Sequence, residues 1–173
     1  MLKLYESLCD LHFGKLMRVY TESNEENAEN FYPDDHRSIG ILKAEQDFYQ
    51  YLKESFFAQN GAFYAVWLEA DKYVSALRIE PYRDGLLLAA LETDPEHRGR
   101  GFAKKLILAV LLHLQERGCT TVYSHVGKKN TPSLRAHLAC GFQRIEERAV
   151  YIDGSVTQRA CTMCRKLGRK MRT

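Results

Sequence analysis

The segment from residue 86 to residue 118 constrains the fold more than any other part of the sequence. It begins with an almost wholly apolar run at residues 86–91, which predicts a strand buried on both faces. Pro95 ends strand pairing, and the sequence Arg98-Gly-Arg-Gly-Phe-Ala103 then makes a tight turn into an amphipathic helix over residues 101–117. Gly118 occupies the position of a left-handed residue that ends a helix. The order of strand, glycine-rich turn and helix predicts an α/β domain.

The glycine-rich turn predicts an anion-binding site. Backbone N–H groups at a helix N-terminus lack intrahelical acceptors, the helix dipole is positive there, and glycines let an anion reach the backbone. Arg98 and Arg100 add positive charge, so a pyrophosphate is the expected ligand. The turn is not a P-loop, because no Gly-Lys-Ser/Thr follows. The spacing of Gly99, Gly101 and Ala103 also differs from the dinucleotide-binding fingerprint.

A second motif reads Asn130-Thr-Pro-Ser-Leu-Arg-Ala-His137-Leu-Ala-Cys-Gly141-Phe142, and one predicted strand separates it from the first. Together with Arg98-x-x-Gly101-x-Ala103, it resembles the two cofactor motifs of the GNAT N-acetyltransferase superfamily. The form with histidine at position 137, where most relatives carry tyrosine, is most similar to the phosphinothricin acetyltransferase-like branch. The resemblance implies an enzyme, an N-acetyltransferase, that uses acetyl-CoA (coenzyme A) as its cofactor.

The predicted elements follow the order β-α-α-β-β-β-α-β-α-β-β, which is also the GNAT order. The predicted helices start at Ser7, Ser38, Gly101 and Thr131. The predicted strands lie at residues 1–5, 62–68, 73–80, 86–93, 119–126, 143–152 and 155–164. Short connections make the second, third and fourth strands an antiparallel meander, and Asp153-Gly154 turns a last hairpin. The resemblance implies an α/β (α+β) fold with a mixed, mostly antiparallel twisted sheet flanked by helices. We expect a single domain over residues 1–173, with a cofactor-binding core at about 86–142.

Composition excludes several classes of protein. Hydrophobic residues make up 45% and charged residues 27% of the sequence, which excludes a disordered chain, and no apolar run approaches the length of a bilayer span. The sequence does not open on a signal-peptide pattern and its five cysteines are scattered, so we expect a reduced, cytoplasmic protein. Cys161-x-x-Cys164 lies in a predicted strand, where positions three apart face opposite sides. No metal site is therefore expected.

The net charge of +3 reflects a basic C-terminal end, at about residues 165–173. The basic residues there are Arg165, Lys166, Arg169, Lys170 and Arg172. A basic tail without interleaved aromatic residues is typical of a solvated terminus. We therefore expect neither a nucleic-acid nor a membrane partner, and a homodimer is left open.

The resemblance implies how the cofactor is held. The amides of the turn at residues 98–103 bind the pyrophosphate, and the backbone of residues 91–93 pairs with the pantetheine arm and donates an N–H to the thioester carbonyl. Asn130 is a cofactor or substrate contact, or caps the following helix. The predicted cofactor-binding residues are Leu91, Glu92, Thr93, Arg98, Gly99, Arg100, Gly101, Phe102, Ala103, Asn130, Ser133 and His137.

Three residues are candidates for proton transfer. Glu92 is the carboxylate nearest the thioester site, but the similar enzymes carry their strand glutamate at the positions of Leu91 or Ala89. Strand alternation would put Glu92 on the other face, where it forms an ion pair or orients the substrate. His125 is a second candidate base, or an exposed strand histidine. His137 is the general acid, or acts as the base itself, or is a packed, half-buried histidine.

The expected acceptor is a primary amine of a small molecule. We expect it to attack acetyl-CoA directly in a ternary complex, since no cysteine occupies a motif position that would suggest an acyl-enzyme. The segment at residues 22–35 carries six carboxylates and no lysine or arginine, which would attract a cationic acceptor or simply remain solvated. A non-catalytic acyl-CoA sensor or interaction module and a protein N-terminal or lysine acetyltransferase are the alternative functions.

Overall fold

The computed structural model describes residues 1–168. Its main sheet has seven strands in the order β1-β2-β3-β4-β5-β9-β6, and β7 and β8 form a separate hairpin. The strands are β1 (Leu2–Tyr5), β2 (Phe63–Glu69), β3 (Lys72–Tyr82), β4 (Gly85–Thr93), β5 (Thr121–Gly127), β6 (Gln143–Glu146), β7 (Ala149–Val150), β8 (Val156–Thr157) and β9 (Ala160–Lys166). The helices are α1 (Phe13–Val19), α2 (Thr21–Phe31), α3 (Arg37–Tyr51), α4 (Phe102–Glu116) and α5 (Thr131–Ala139).

Helices cover both faces of the main sheet. The main core lies between α4, α5 and one face, and includes Leu77, Leu88, Leu106, Val122 and Phe142. A second cluster lies on the other face, where α1 and the π-helical turn Leu52–Phe56 that extends α3 pack on β2 and β3. This mixed, mostly antiparallel sheet between helices confirms the predicted fold class.

The N-terminal third differs most from the prediction. The first helix begins at Phe13 rather than at Ser7, because His12 caps it: its Nδ1 accepts from the Lys15 amide at 3.3 Å. The acidic segment forms a helix of its own, α2, so three helices rather than two precede β2. Only Asn24 and Ala28 of α2 are buried, and so sparse an apolar face gives little periodic signal.

The antiparallel meander of β2, β3 and β4 is confirmed, but β4 is irregular. Arg78 pairs with Ala89 and Ala76 pairs with Glu92, which leaves Ala90 and Leu91 together opposite Leu77. Ala90 has a φ of +50° and is exposed. This is a β-bulge. The prediction of a strand buried on both faces is therefore wrong beyond Leu88.

β4 and β5 are parallel neighbours that separate. They pair only between Leu86–Leu88 and Val122–Ser124. At the closed end the backbones are so near that a Cβ on Gly85 would lie 2.2 Å from the Thr121 carbonyl oxygen. Beyond Leu88 the edge of β4 that faces β5 has no strand partner within residues 1–168, so a gap opens in the middle of the sheet.

The C-terminal hairpin is confirmed, but in two parts. β6 pairs with β9 in the main sheet, while β7 and β8 turn at Asp153-Gly154 as a separate ribbon. Cys161 lies in the main core and Cys164 lies in a small cluster on the opposite face, with Tyr82, Leu87 and Tyr123. The basic residues Arg169, Lys170 and Arg172 lie outside the described residues. None of the helices within residues 1–168 has the length and apolar character needed to cross a membrane.

Candidate active site

A cleft of about 810 Å³ opens where β4 leaves β5. This volume is within the usual range for small-molecule sites. The cleft residues come from α2, β4, the start of α4 and the start of α5. They are Glu22, Ser23, Glu26, Leu91, Glu92, Thr93, His97, Arg98, Gly99, Gly101, Phe102, Ala103, Lys104, Asn130, Pro132, Ser133 and Ala136. The structure thus brings together most of the predicted cofactor-binding residues. Arg100 and His137 are not among the cleft residues.

The turn into α4 is shaped to bind an anion. Gly99 and Gly101 both have a φ of +76°, a left-handed conformation that favours glycine. The first intrahelical bond runs from the Lys105 amide to the Gly101 carbonyl at 3.0 Å, so the amides of residues 102–104 lack intrahelical acceptors. Apart from the adjoining residues, no heavy atom of residues 1–168 lies within 4 Å of where a Cβ on Gly99 or Gly101 would stand. The space above the turn is open to a ligand.

Arg98 links this turn to β4 and to α2. Its Nε donates to the Thr93 carbonyl at 3.1 Å, and its guanidinium forms an ion pair with Glu22 at 2.7 Å. Both side chains of that pair are about half exposed, so the pair contributes little stability and can be exchanged for another anion. Lys104, on the first turn of α4, adds a second positive charge to the same end of the cleft.

Hydrogen bonds from neighbouring elements hold the bulge of β4. The Tyr20 hydroxyl donates to the Ala90 carbonyl at 2.6 Å and accepts from the Tyr64 hydroxyl at 3.1 Å. On the next strand, the Ser75 hydroxyl donates to the Glu92 carbonyl at 2.7 Å. Tyr20, Tyr64 and Ser75 are all buried. The bulge is therefore fixed from the side away from β5, and the edge of β4 toward the gap stays free.

The bulge also changes which face carries Glu92. Leu88 and Leu91 both pack on the main core, although residues three positions apart in a regular strand point to opposite faces. Ala89 packs on the opposite face. Glu92 accepts a hydrogen bond from Ser23 of α2, which lies on the Ala89 side. The prediction that Glu92 faces away from both Leu91 and Ala89 is right for Leu91 and wrong for Ala89, because the bulge inverts the alternation.

The surroundings of Glu92 make it a stronger base than an ordinary glutamate. Burial raises the pKa of its carboxyl, and Glu22 and Glu26 raise it further. The hydrogen bond from Ser23 and the charge of Arg98 act in the opposite direction. The net shift is upward, so the carboxylate gains proton affinity while remaining in contact with the cleft.

Asn130 and Ser133 form the opposite wall. Asn130 is the N-cap of α5, one of the two roles predicted for it, although Thr131 could also have capped: the Asn130 side-chain oxygen accepts from the Ser133 amide at 3.1 Å. Asn130 is a better cap than threonine, and Pro132 is accommodated in the first turn. Capping leaves the Asn130 side-chain amide group available, and both Asn130 and Ser133 line the cleft.

His137 lies behind this wall. Its side chain is only 1% exposed, its Nδ1 donates to the Ser133 carbonyl at 2.8 Å, and its Nε2 accepts from the Ser124 hydroxyl at 2.9 Å. The ring also packs edge-on against Phe142, 5.2 Å between centroids. Burial lowers the pKa of the imidazole, despite the backbone hydrogen bond. A neutral imidazole whose two nitrogens are both hydrogen-bonded inside the protein favours the prediction of a packed histidine over that of a general acid.

His125 lies on β5, outside the cleft lining. Its Nε2 is 3.3 Å from the Tyr82 hydroxyl, and its ring meets those of Tyr82 and Tyr151 edge-on at 5.3 Å each. Burial lowers the pKa of His125, and the charge of Arg83 lowers it further. The alternative prediction for His125, an exposed strand histidine, is therefore wrong, because the ring is half-buried between two tyrosines.

Several cleft residues were not predicted from the sequence. Pro132 and Ala136 lie inside the second motif and Lys104 follows the first, so a helical projection of α4 and α5 could have found them. His97 precedes the first motif and is held by Asp94 at 3.1 Å. Glu22 and Glu26 belong to the acidic segment that was predicted either to attract a cationic acceptor or to remain solvated, and α2 brings them to the cleft. Ser23 gave no signal, because only its position on α2 beside Glu92 brings it there.

Comparison with known proteins agrees with this geometry. The profile of the Acetyltransferase (GNAT) family matches residues 27–142, more than half of the chain. The chain is similar to the [Ribosomal protein bS18]-alanine N-acetyltransferase of Haemophilus ducreyi, with 32% identity over 92 residues. These are 51% of this chain and 63% of that protein. It is also 29% identical over 126 residues to the mycothiol acetyltransferase of Thermobifida fusca, covering 68% of this chain and 39% of that one.

Among solved structures, the fold resembles that of the PaiA N-acetyltransferase from Thermoplasma acidophilum in complex with coenzyme A. The TM-score is 0.66 at 12% sequence identity, and the match covers 96% of this chain and 99% of the other. At this identity the likeness concerns the fold. The chain thus spans less than two thirds of the length of the two sequence relatives but nearly the whole of the PaiA chain.

Proposed function

Because the chain belongs to the GNAT acetyltransferase family, we propose that it transfers the acetyl group of acetyl-CoA to an amine. One observation carries the proposal: a single cleft contains the open turn at the start of α4, the unpaired edge of β4 and the carboxylate of Glu92. These are a site for a pyrophosphate, a backbone edge for the pantetheine arm and a base for the amine. In this proposal, residues 86–142 form the cofactor-binding core.

The described residues fit coenzyme A. The free amides of residues 102–104 and the charges of Arg98 and Lys104 would hold the pyrophosphate, and Arg100 extends the positive surface. The β4 edge at residues 91–93 would pair with the pantetheine amides, and Asn130 and Ser133 close the other side. Bound acetyl-CoA supplies an activated thioester. A backbone N–H of the β4 edge would stabilise the negative charge that develops on its carbonyl oxygen.

Glu92 would remove the proton from the acceptor. An alkylammonium group has a pKa of about 10, so at neutral pH it must lose a proton before it can attack. The carboxylate lies in the cleft, and burial raises its pKa toward the range in which a base works efficiently. Ser23, as its hydrogen-bond donor, would orient it, and Glu22 and Glu26 would attract a cationic acceptor to the same end.

For the acceptor, we propose a primary amine of a small molecule. The similarity to a ribosomal protein alanine N-acetyltransferase makes a protein N-terminus the second candidate. The five free cysteines support a reducing compartment, such as the cytoplasm. Release of the coenzyme A thiol, measured with a panel of small amines and of peptides with free N-termini, tests the proposal. Turnover with the small amines supports it, turnover with peptides alone favours the second candidate, and cofactor binding without turnover on any amine would indicate a sensor.

The tyrosine pair that fixes the bulge should matter for turnover. Tyr20→Phe deletes the hydroxyl that holds the Ala90 carbonyl, and the bulge then loses a fixed position. We expect kcat to fall by about 10–100-fold, because small displacements of a reacting group cost that much, with little change in coenzyme A affinity. Steady-state kinetics and calorimetric titration measure the two quantities.

Tyr73→Phe is the matched control for Tyr20→Phe. Tyr73 is also buried, and its hydroxyl donates to the Tyr5 hydroxyl at 2.8 Å. Each variant should cost about 0.5–1.5 kcal/mol of stability, because each removes a hydroxyl of a buried tyrosine together with its hydrogen bonds. Only Tyr20→Phe should lower kcat. An equal loss of kcat in both variants would show that stability, not the position of the bulge, limits the rate.

His137 should act through stability rather than through chemistry. His137→Phe removes the partner of the buried Ser124 hydroxyl, which should cost about 1–3 kcal/mol in the free energy of unfolding. Burial lowers the pKa of His137, so the stability of the native protein should fall as the pH drops from the ordinary histidine pKa toward the lowered one. His137→Phe should remove that part of the pH dependence. Chemical denaturation at several pH values measures it.

His113→Phe is the control for this change. His113 also packs edge-on against a phenylalanine, Phe63, but its buried Nε2 has no hydrogen-bond partner, so its replacement should cost much less. We expect both variants to keep the native kcat and pH–rate profile while they remain folded. A folded His137→Phe protein with a kcat at least about 100-fold lower would instead assign the general acid to His137.

A further inference from the structure

A second charged side chain, Arg78, shares the sheet face of Glu92. Arg78 pairs with Ala89 across β3 and β4, and Ala76, two residues before it, pairs with Glu92. Alternate residues of a strand point to the same face, so Arg78 lies on the side of Ala76, which packs in the second cluster under α1. Ser23 of α2 reaches Glu92 from that same side.

The hydroxyls of Tyr20 and Tyr64 lie near both the Arg78 and the Glu92 charge. Burial raises the pKa of both hydroxyls, and each also feels the opposing charges of Arg78 and Glu92. Because the Tyr20 hydroxyl touches the Ala90 carbonyl, this pair of opposite charges flanks the bulge. Arg78 and Glu92 nevertheless do not form an ion pair with each other, since their charged atoms are not within 4.0 Å.

The charge of Arg78 has no carboxylate in direct contact. Among the ion pairs of residues 1–168, none includes Arg78, and its buried Nε has no hydrogen-bond partner. The guanidinium lies over the rings of Tyr51 and Phe56, 4.9 Å and 5.5 Å from their centroids. Glu80 is buried on the same face and acts on Arg78 only through its field, while its own carboxylate accepts from Gln59 at 3.4 Å.

Burial disfavours the charge of Arg78, while the fields of the neighbouring tyrosines and of Glu80 favour it, and the net effect raises the pKa of the guanidinium. The charge is thus maintained without a carboxylate of residues 1–168 in direct contact, and two aromatic rings stack on it. On the neighbouring strand, Ala89 is only partly buried and Ala90 is exposed, so the positions that follow the partner of Arg78 toward Glu92 carry small side chains. A guanidinium also provides the forked donors that carboxylates bind.

We propose that Arg78 binds a carboxylate of the acceptor whose amine is placed at Glu92. This inference rests on the proposed function. Ala76, the partner of Glu92, and Arg78 are two positions apart on β3, so their backbone positions are roughly 7 Å apart on one face of the sheet. The acceptor is then an amino carboxylate, an amino acid or short peptide, rather than a polyamine.

Matched amines that differ only in the carboxylate test this assignment. Amino acids and dipeptides are compared with their carboxamides by coenzyme A release, in the native protein, Arg78→Gln and Arg78→Lys. We expect the native enzyme to prefer the carboxylates, and Arg78→Gln to raise the KM for carboxylates by about 10–100-fold while the carboxamides are unaffected. Arg78→Lys should keep part of the preference. Arg117→Gln, an exposed arginine at the far end of α4, is the control for net charge.

The two possible failures are distinguishable. If the native protein acetylates amines but shows the same carboxylate-to-carboxamide ratio as Arg78→Gln, the role of Arg78 is overturned and the proposed function stands. If the native protein acetylates nothing, the proposed function fails. Calorimetric titration of the same amino carboxylates into the coenzyme A-loaded proteins then decides about Arg78: weaker binding to Arg78→Gln supports the subsite, and equal or no binding overturns it. Arg78→Lys covers the case in which Arg78→Gln does not fold.

Discussion

Replacing Glu92 by glutamine is expected to lower kcat/KM by about 10²–10⁴-fold, the usual loss when a general base is removed. Glutamine keeps the shape of the side chain and can still accept the hydrogen bond from Ser23. The affinity for coenzyme A should therefore be nearly unchanged, because the turn into α4 is intact. The acidic limb of the pH–rate profile, which lies above the ordinary glutamate range because burial raises the pKa of Glu92, should disappear.

The same substitution should make the protein more stable near neutral pH. A carboxyl whose pKa is raised on folding binds its proton more tightly in the folded state, so its ionisation destabilises the fold above that pKa. Glutamine removes this cost, and the difference in melting temperature should shrink as the pH falls below the ordinary glutamate pKa. Loss of activity with gain of stability is typical of a functional group held at an energetic cost.

Glu26→Gln is the control for Glu92→Gln, since Glu26 lines the same cleft. It should change kcat/KM far less, through the local field alone. A folded Glu92→Gln protein with native kcat/KM would exclude Glu92 as the base. His125 would then be the remaining predicted candidate, and His125→Asn would be the next variant to measure.

Gly101→Val is expected to abolish coenzyme A binding while the core stays folded. Gly101 has a φ of +76°, which is unfavourable for a β-branched side chain, and its side chain would stand in the open space above the turn where the pyrophosphate is expected. We expect the affinity for coenzyme A to fall by at least about 100-fold, as for the loss of several charge-assisted hydrogen bonds. Calorimetric titration measures it.

Gly118→Val separates the site from the backbone strain. Gly118 ends the same helix with a φ of +83°, also has nothing within 4 Å of its Cβ position, and lies at the opposite end of α4. Both variants should lose similar stability through strain, about 1–2 kcal/mol, but only Gly101→Val should lose coenzyme A binding. Native affinity in a folded Gly101→Val protein would mean that the turn does not hold the pyrophosphate.

The sequence was most informative where structure is local. The turn at residues 98–103 needs only its own glycines and the helix that follows, so its conformation could be predicted from a short segment. The antiparallel meander could be predicted because short, turn-rich connections leave few other topologies. Both features combine with the second motif to identify the family, and the match over residues 27–142 confirms that family.

Prediction failed where long-range packing decides. The bulge at Ala90 depends on hydroxyls from α1 and β2, distant in the sequence, and it reversed the assignment of Glu92 relative to Ala89. The burial of His137 depends on Ser124 of β5, which no helical pattern of α5 could indicate. The placement of α2 on the cleft rests on two buried residues in an otherwise polar helix.

A crystal structure of the complex with coenzyme A tests the central proposal most directly. We predict that pyrophosphate oxygens lie within hydrogen-bond distance of the amides at residues 98–103, that Arg98 has exchanged Glu22 for a phosphate, and that the pantetheine arm follows the free edge of β4 toward Glu92. Coenzyme A bound elsewhere, or bound in the cleft with its pyrophosphate away from the turn, would contradict the account.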